Sequence, residues 1–144
     1  MASQHTWQQA FQELLLREAG TSADASAIAA AARRLCEGFA QRLTPLVGDA
    51  GVAAIYARSL HLVRQHTVGL APVPASDLGD GPFTHVQRFL EHQTSDVAGE
   101  TAVAVLTTVG DLLASLIGES LTMRLLREAW PDDFTGGISE ETTT

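Results

Sequence analysis

The chain is predicted to be all-α: a compact bundle of four or five helices, mostly antiparallel, arranged around a long C-terminal helix. Three observations predict it. Apolar residues recur at spacings of three and four along five segments. Glycines, prolines and short polar residues punctuate the gaps between those segments. The stretch from Val97 to Trp130 contains no proline and is apolar over most of its circumference.

The first helix is expected from about Gln4 to Ala19. Trp7, Phe11, Leu14 and Leu15 fall on one face, while Gln8, Gln12 and Arg17 point elsewhere. Gly20 is a stop, and Thr21, Ser22 and Asp24 offer caps for a second helix. That helix, about Ala23 to Val47, carries an apolar stripe of Ile28, Ala32, Leu35, Phe39 and Leu46. Pro45 lacks the N–H that would bond to Gln41, so a kink or an end is expected there. Gly48 reads as the C-terminal stop and Asp49 as the next cap.

A third helix, about Ala50 to His66, has Val52, Ile55, Tyr56, Leu62 and Val63 on its apolar arc. Residues 67–81 hold Pro72, Pro74, Gly69, Gly79 and two aspartates, and read as a mobile loop. Pro82 suits the first position of a short fourth helix, packed through Phe83, Val86, Phe89 and Leu90. Thr94, Ser95 and Asp96 restart the chain. The last helix, 97–130, would be about 50 Å long at 1.5 Å per residue, unless Gly110 or Gly118 breaks it. Residues 1–131 thus form one helical domain, and 132–144 an acidic disordered tail.

Composition narrows the function classes. Of 144 residues, 45% are hydrophobic and 18% charged, which fits a globular domain rather than a disordered chain. Nine arginines and no lysine face seventeen carboxylates, for a formal charge of −8. That preference for Arg fits a GC-rich, bacterial genome. Asp132, Asp133, Glu140 and Glu141 carry four of the excess negative charges, which leaves about −4 for the body. No basic footprint is present, so nucleic acid is not an expected partner. A lone Cys36 amid Leu35 and Phe39 reads as a buried structural thiol. The polar, mixed N-terminus predicts no secretory signal. Glu100, Asp111, Glu119 and Arg124 interrupt the longest apolar region, so no membrane span is expected, and the location expected is cytoplasmic.

Candidates for chemistry are sparse. His61 and His66 lie about 140° apart on a helix of 3.6 residues per turn, and His85 and His92 are two turns apart. Neither pair has the i, i+4 spacing of a helical zinc site, so no metal and no cofactor is expected. Asp77 to Gly81 lacks the alternating ligands of a calcium loop. No nucleophile elbow, phosphate loop or dinucleotide glycine pattern occurs, and no catalytic residue is assigned.

Three sets of residues carry binding expectations instead. Glu119 takes an apolar place in the seam between Leu116 and Met123. It reads as a carboxylate paired with an arginine or placed at a break near Gly118, or else as a polar anchor in a ligand pocket or dimer seam; in a pocket, Glu119, His66 or Tyr56 would be the anchor. Gly110, Ala114 and Gly118, spaced four apart, allow close helix approach, either within the chain or across a homodimer. Arg33, Arg34, Arg42, Arg58 and Arg64 form either a solvated face or a docking face for an acidic protein. The function expected is a non-enzymatic interaction module, regulatory or adaptor in type, dimerising through the long C-terminal helix. The alternative is a small-ligand sensor with an apolar pocket between helices, for haem or another small molecule.

Overall fold

The computed structural model describes residues 2–20, 24–67 and 81–131, with the side chains of 2–6, 81–83 and 85 excepted. The expected loop over 67–81 therefore lies, apart from its two ends, outside the described residues. So does the expected tail over 132–144, and so do the side chains of Pro82, Phe83 and His85.

Among the described residues the protein is all-α, with five helices and no strand: α1 (Ala2–Ala19), α2 (Ala25–Arg64), α3 (Gly81–Glu91), α4 (Ser95–Ile117) and α5 (Glu119–Ala129). Local chemistry sets the starts. The Asp24 carboxylate accepts from the Ala27 N–H at 2.8 Å and opens α2. The Thr94 hydroxyl accepts from the Val97 N–H at 3.2 Å and opens α4. Gly20, at φ +84, follows α1.

The longest helical run is α2, near the N-terminus, and it is not straight. Gly48 sits at φ 79, ψ 168, a conformation essentially reserved for glycine. The Tyr56 hydroxyl donates to the Cys36 carbonyl at 2.8 Å. Along a straight helix those residues would stand about 30 Å apart at 1.5 Å per residue. Their contact requires the two arms, about 18 Å and about 12 Å from Gly48, to fold back on each other. The run is thus two helices laid together, and Gly48 lies where the stop was expected. Pro45 falls in the last turn before it.

Nothing lies within 4 Å of a Cβ built on Gly48, so a side chain there meets backbone strain without crowding. Gly48→Ala should cost about 2 kcal/mol, read as a lowered urea midpoint with unchanged m-value. A variant as stable as the native chain would contradict the strained turn.

The expected long C-terminal helix is corrected: residues 97–130 fall into two helices. Gly118, at φ 94 and ψ 154, ends α4 and resets the phase of the chain. Its carbonyl accepts from the Thr122 N–H at 3.1 Å and the Thr122 hydroxyl at 2.8 Å, which restarts α5 at once.

Helix α4 touches all four other helices, and its Ala98, Ala102, Leu106, Val109 and Leu113 are fully or almost fully buried. Near the start of α1, Trp7 is wholly buried and its indole N–H donates to the Asp111 carboxylate at 3.0 Å. A Cβ on Gly110 would stand 3.0 Å from the same Trp7 nitrogen, so the glycine is what lets the indole lie close against α4. At the C-terminal end, Trp130 meets the rings of Phe11 and Phe39 edge-on, each with centroids 5.9 Å apart. One core therefore draws on α1, both arms of α2, α3, α4 and α5.

Among the described residues, α4 is long and apolar enough to cross a bilayer, with a mean hydropathy of 1.5 over its most apolar window; the α2 run reaches 1.2, but Gly48 divides it into two shorter helices. Half of the α4 window is buried within the fold, as the core helix of a packed domain would be.

Candidate functional site

A surface groove with an apolar floor lies between the end of α1 and the beginning of α4. Leu15, Ile28 and Val103 are nearly fully buried and form the floor of an open groove of about 550 Å³. Its walls carry Gln9, Gln12 and Glu13 from α1, and Ser95, Asp96, Gly99 and Glu100 from α4. Leu16 stands on the rim with 61% of its surface exposed. It follows Leu14 and Leu15 in sequence but points off the buried stripe, since a third consecutive residue turns about 100° further around a helix.

The groove is charged on one side of the balance only. Glu13, Asp96 and Glu100 are exposed, and none of them forms an ion pair among the described residues. The Gln9 amide reaches Glu13 at 3.5 Å. Among the described residues, no arginine or histidine lines the groove. Such a surface can hold an apolar group beneath a ring of carboxylates. Residue spacing does not reveal this groove, because its shape depends on how α1 lies on α4. The one local signal is Gly99, a glycine inside a helix.

The residues expected to matter are dispersed. Tyr56 is buried, with its hydroxyl committed to Cys36 inside the fold. Burial, with the Cys36 thiol beside it, holds its pKa well above the usual phenol value. Burial likewise pushes the Cys36 thiol up to about 12, with the Glu37 charge adding to it.

Glu119 is exposed in the first turn of α5, where the helix dipole favours a carboxylate. The expectation of a carboxylate set in an apolar seam is corrected, because Gly118 breaks the helical phase on which it rested. Its place at the Gly118 break is one of the two arrangements expected for it.

His66 is exposed at the end of α2 and lines two clefts that also share Thr67 and Ala104. One, of about 420 Å³, includes Leu62, Asp111 and Leu112; the other, of about 610 Å³, includes Gln93, Val97 and Glu100. Neither cleft contains Tyr56 or Glu119, so the structure does not gather the three expected anchors into one pocket. Among the described residues, no group of three His, Cys, Asp or Glu side chains is placed to hold a metal ion.

Of the small-residue strip, Gly110 is buried under Trp7, Ala114 is half-buried against the core, and Gly118 is the break between α4 and α5. Two of the five arginines are engaged within the fold. Arg33 bonds Glu37 at 3.1 Å and the Gln87 side chain of α3 at 3.0 Å. Arg34 bonds the Glu18 carboxylate at 3.4 Å and the Glu18 carbonyl at 3.1 Å, tying α2 to α1. Arg42 and Arg58 are exposed and Arg64 half-buried, and none of the three forms an ion pair among the described residues.

Compared with known proteins, the chain matches no family model, no curated protein and no solved structure.

Proposed function

We propose that the chain is a non-enzymatic interaction module of the cytoplasm, regulatory or adaptor in type, whose helices form a mostly antiparallel bundle. In this reading it pairs with a second copy of itself through the corner between α4 and α5, without nucleic acid or membrane.

The observation that carries the proposal is Leu116. It lies in the last turn of the most apolar helix, yet 66% of its surface is exposed. Leu121, just past Gly118, is exposed as well, and Ile117 between them is only half-buried. An isologous contact at this corner would bury each of them once on each protomer. Pairing through the middle of α4, by contrast, would displace Trp7 from Gly110.

Burying a leucine is worth about 1.5–3 kcal/mol, so Leu116→Glu should weaken the pair at least about 100-fold. Sedimentation equilibrium reads the change, and an unaltered far-ultraviolet circular dichroism spectrum shows that the fold survives at an exposed site. Equal association of the native chain and the variant would remove the α4–α5 corner from consideration.

A second reading, a small-ligand sensor, draws on the two clefts that share His66. Of the residues expected to anchor a ligand, His66 is the one placed on an open surface cleft. A visible absorption band in the purified protein, lost in His66→Ala, would favour haem in that role.

A further inference from the structure

We propose that the groove between α1 and the start of α4 is a docking site for a basic amphipathic helix of another protein. This rests on reading the chain as an interaction module, but not on its pairing through the α4–α5 corner. Two independent features support it.

The first is chemical complementarity. An apolar floor of Leu15, Ile28 and Val103 lies beneath Glu13, Asp96 and Glu100, and no cation lines the groove among the described residues. Asp96 has a local reason to be where it is, in the first turn of α4. Glu13 accepts one long bond from the Gln9 amide at 3.5 Å, and neither it nor Glu100 forms an ion pair among the described residues. A helix with apolar anchors at i, i+3, i+4 and i+7, flanked by lysine or arginine, satisfies both layers at once.

The second is Gly99. Glycine is the weakest helix former after proline, and it sits here in the second turn of α4. A Cβ at this position would meet nothing within 4 Å, so no packing inside the fold asks for glycine. Gly110 on the same helix shows the contrast: there the missing side chain makes room for Trp7. At Gly99 the space opens into the groove, where it lets a partner's backbone approach closely.

The occupant is basic rather than another copy or part of the same chain. The protein carries −8 overall, and residues 132–144 hold four carboxylates and no cation. Both are repelled by the groove rim.

The test uses three labelled peptides added to the full chain, the first two of about 18 residues, five turns of helix. One is amphipathic with a lysine- and arginine-rich polar face; the second has glutamate in place of every cation; the third is the unmodified sequence of residues 132–144. Fluorescence anisotropy should show the basic peptide binding at least 10-fold more tightly than either acidic one, and more weakly as salt rises. The double variant Glu13→Gln/Glu100→Gln should lose at least threefold in affinity.

Gly99→Leu should lose at least 10-fold, while its melting temperature stays equal or rises. Amide shift changes on binding should cluster in residues 9–16 and 95–103, a result that needs no variant. Leu116→Glu should bind the basic peptide as the native chain does, so that failure of the self-pairing reading is read separately. The proposal is overturned by native-like binding in Gly99→Leu, by shift changes centred elsewhere, by equal binding of an acidic peptide, or by no binding of the basic one.

Discussion

Replacing Trp7 by alanine is expected to destabilise the fold by about 3–5 kcal/mol, a large share of the stability of an ordinary domain. The indole is wholly buried, and its N–H bonds the Asp111 carboxylate at 3.0 Å, so the variant opens a cavity and withdraws a charge-assisted hydrogen bond. Gly110→Leu attacks the same contact from the other side. A Cβ alone would stand 3.0 to 3.3 Å from three atoms of the indole, and the rest of a leucine has no room. It should cost about 3 kcal/mol by overpacking.

The pair should not be additive. With the indole gone, the leucine fills part of the cavity, so Trp7→Ala/Gly110→Leu should be more stable than the sum of the single changes predicts. Urea midpoints of the four proteins form the cycle. Additivity within about 0.5 kcal/mol would mean that the two residues do not share a contact.

Raising the pH should produce the second large loss. Burial holds the Cys36 thiol at about 12, against 9.0 in an exposed thiol, and holds Tyr56 well above 10.0. Both groups therefore keep their protons in the folded chain at pH values where the unfolded chain releases them. Below pH 9 the contribution to stability is complete. From pH 9 it falls, by about 1.4 kcal/mol per pH unit from Cys36 alone, until the folded thiol titrates near 12. Tyr56 adds to the slope above pH 10. Urea unfolding at a series of pH values reads the slope directly. Cys36→Ala should be flatter between pH 9 and 10, where the thiol contributes and the phenol does not; an unchanged slope there would show that Cys36 is not buried as described.

The helices were legible where local chemistry decides them. Asp24 and Thr94 cap the helices they were expected to start, and Gly48 marks the turn between segments expected as the second and third helices. These signals involve a residue and its neighbours within one turn. The Gly118 break depends on a competition between the continuous apolar pattern from Val97 to Trp130 and one flexible residue, and the pattern alone does not decide it. Glu119 shows the consequence: its place in a seam exists only if helical phase carries through Gly118.

The candidate site was not legible for a different reason. Leu16, Gly99 and Glu100 lie on two helices far apart in sequence, and each has an ordinary reading by itself. They become one groove only once Trp7 is set on Gly110, which fixes how α1 lies along α4. In the same way, nothing local tells that Arg33 and Arg34 turn to Gln87 and Glu18 while Arg42 and Arg58 form no ion pair among the described residues.

The most direct test of the proposed function is the native mass of the purified protein at micromolar concentration. The expected result is a species of twice the 15.3 kDa chain mass, with nothing else bound, which Leu116→Glu converts to single chains. A single chain in the native protein would contradict the self-pairing reading, and a single chain carrying a small molecule would put the sensor reading in its place.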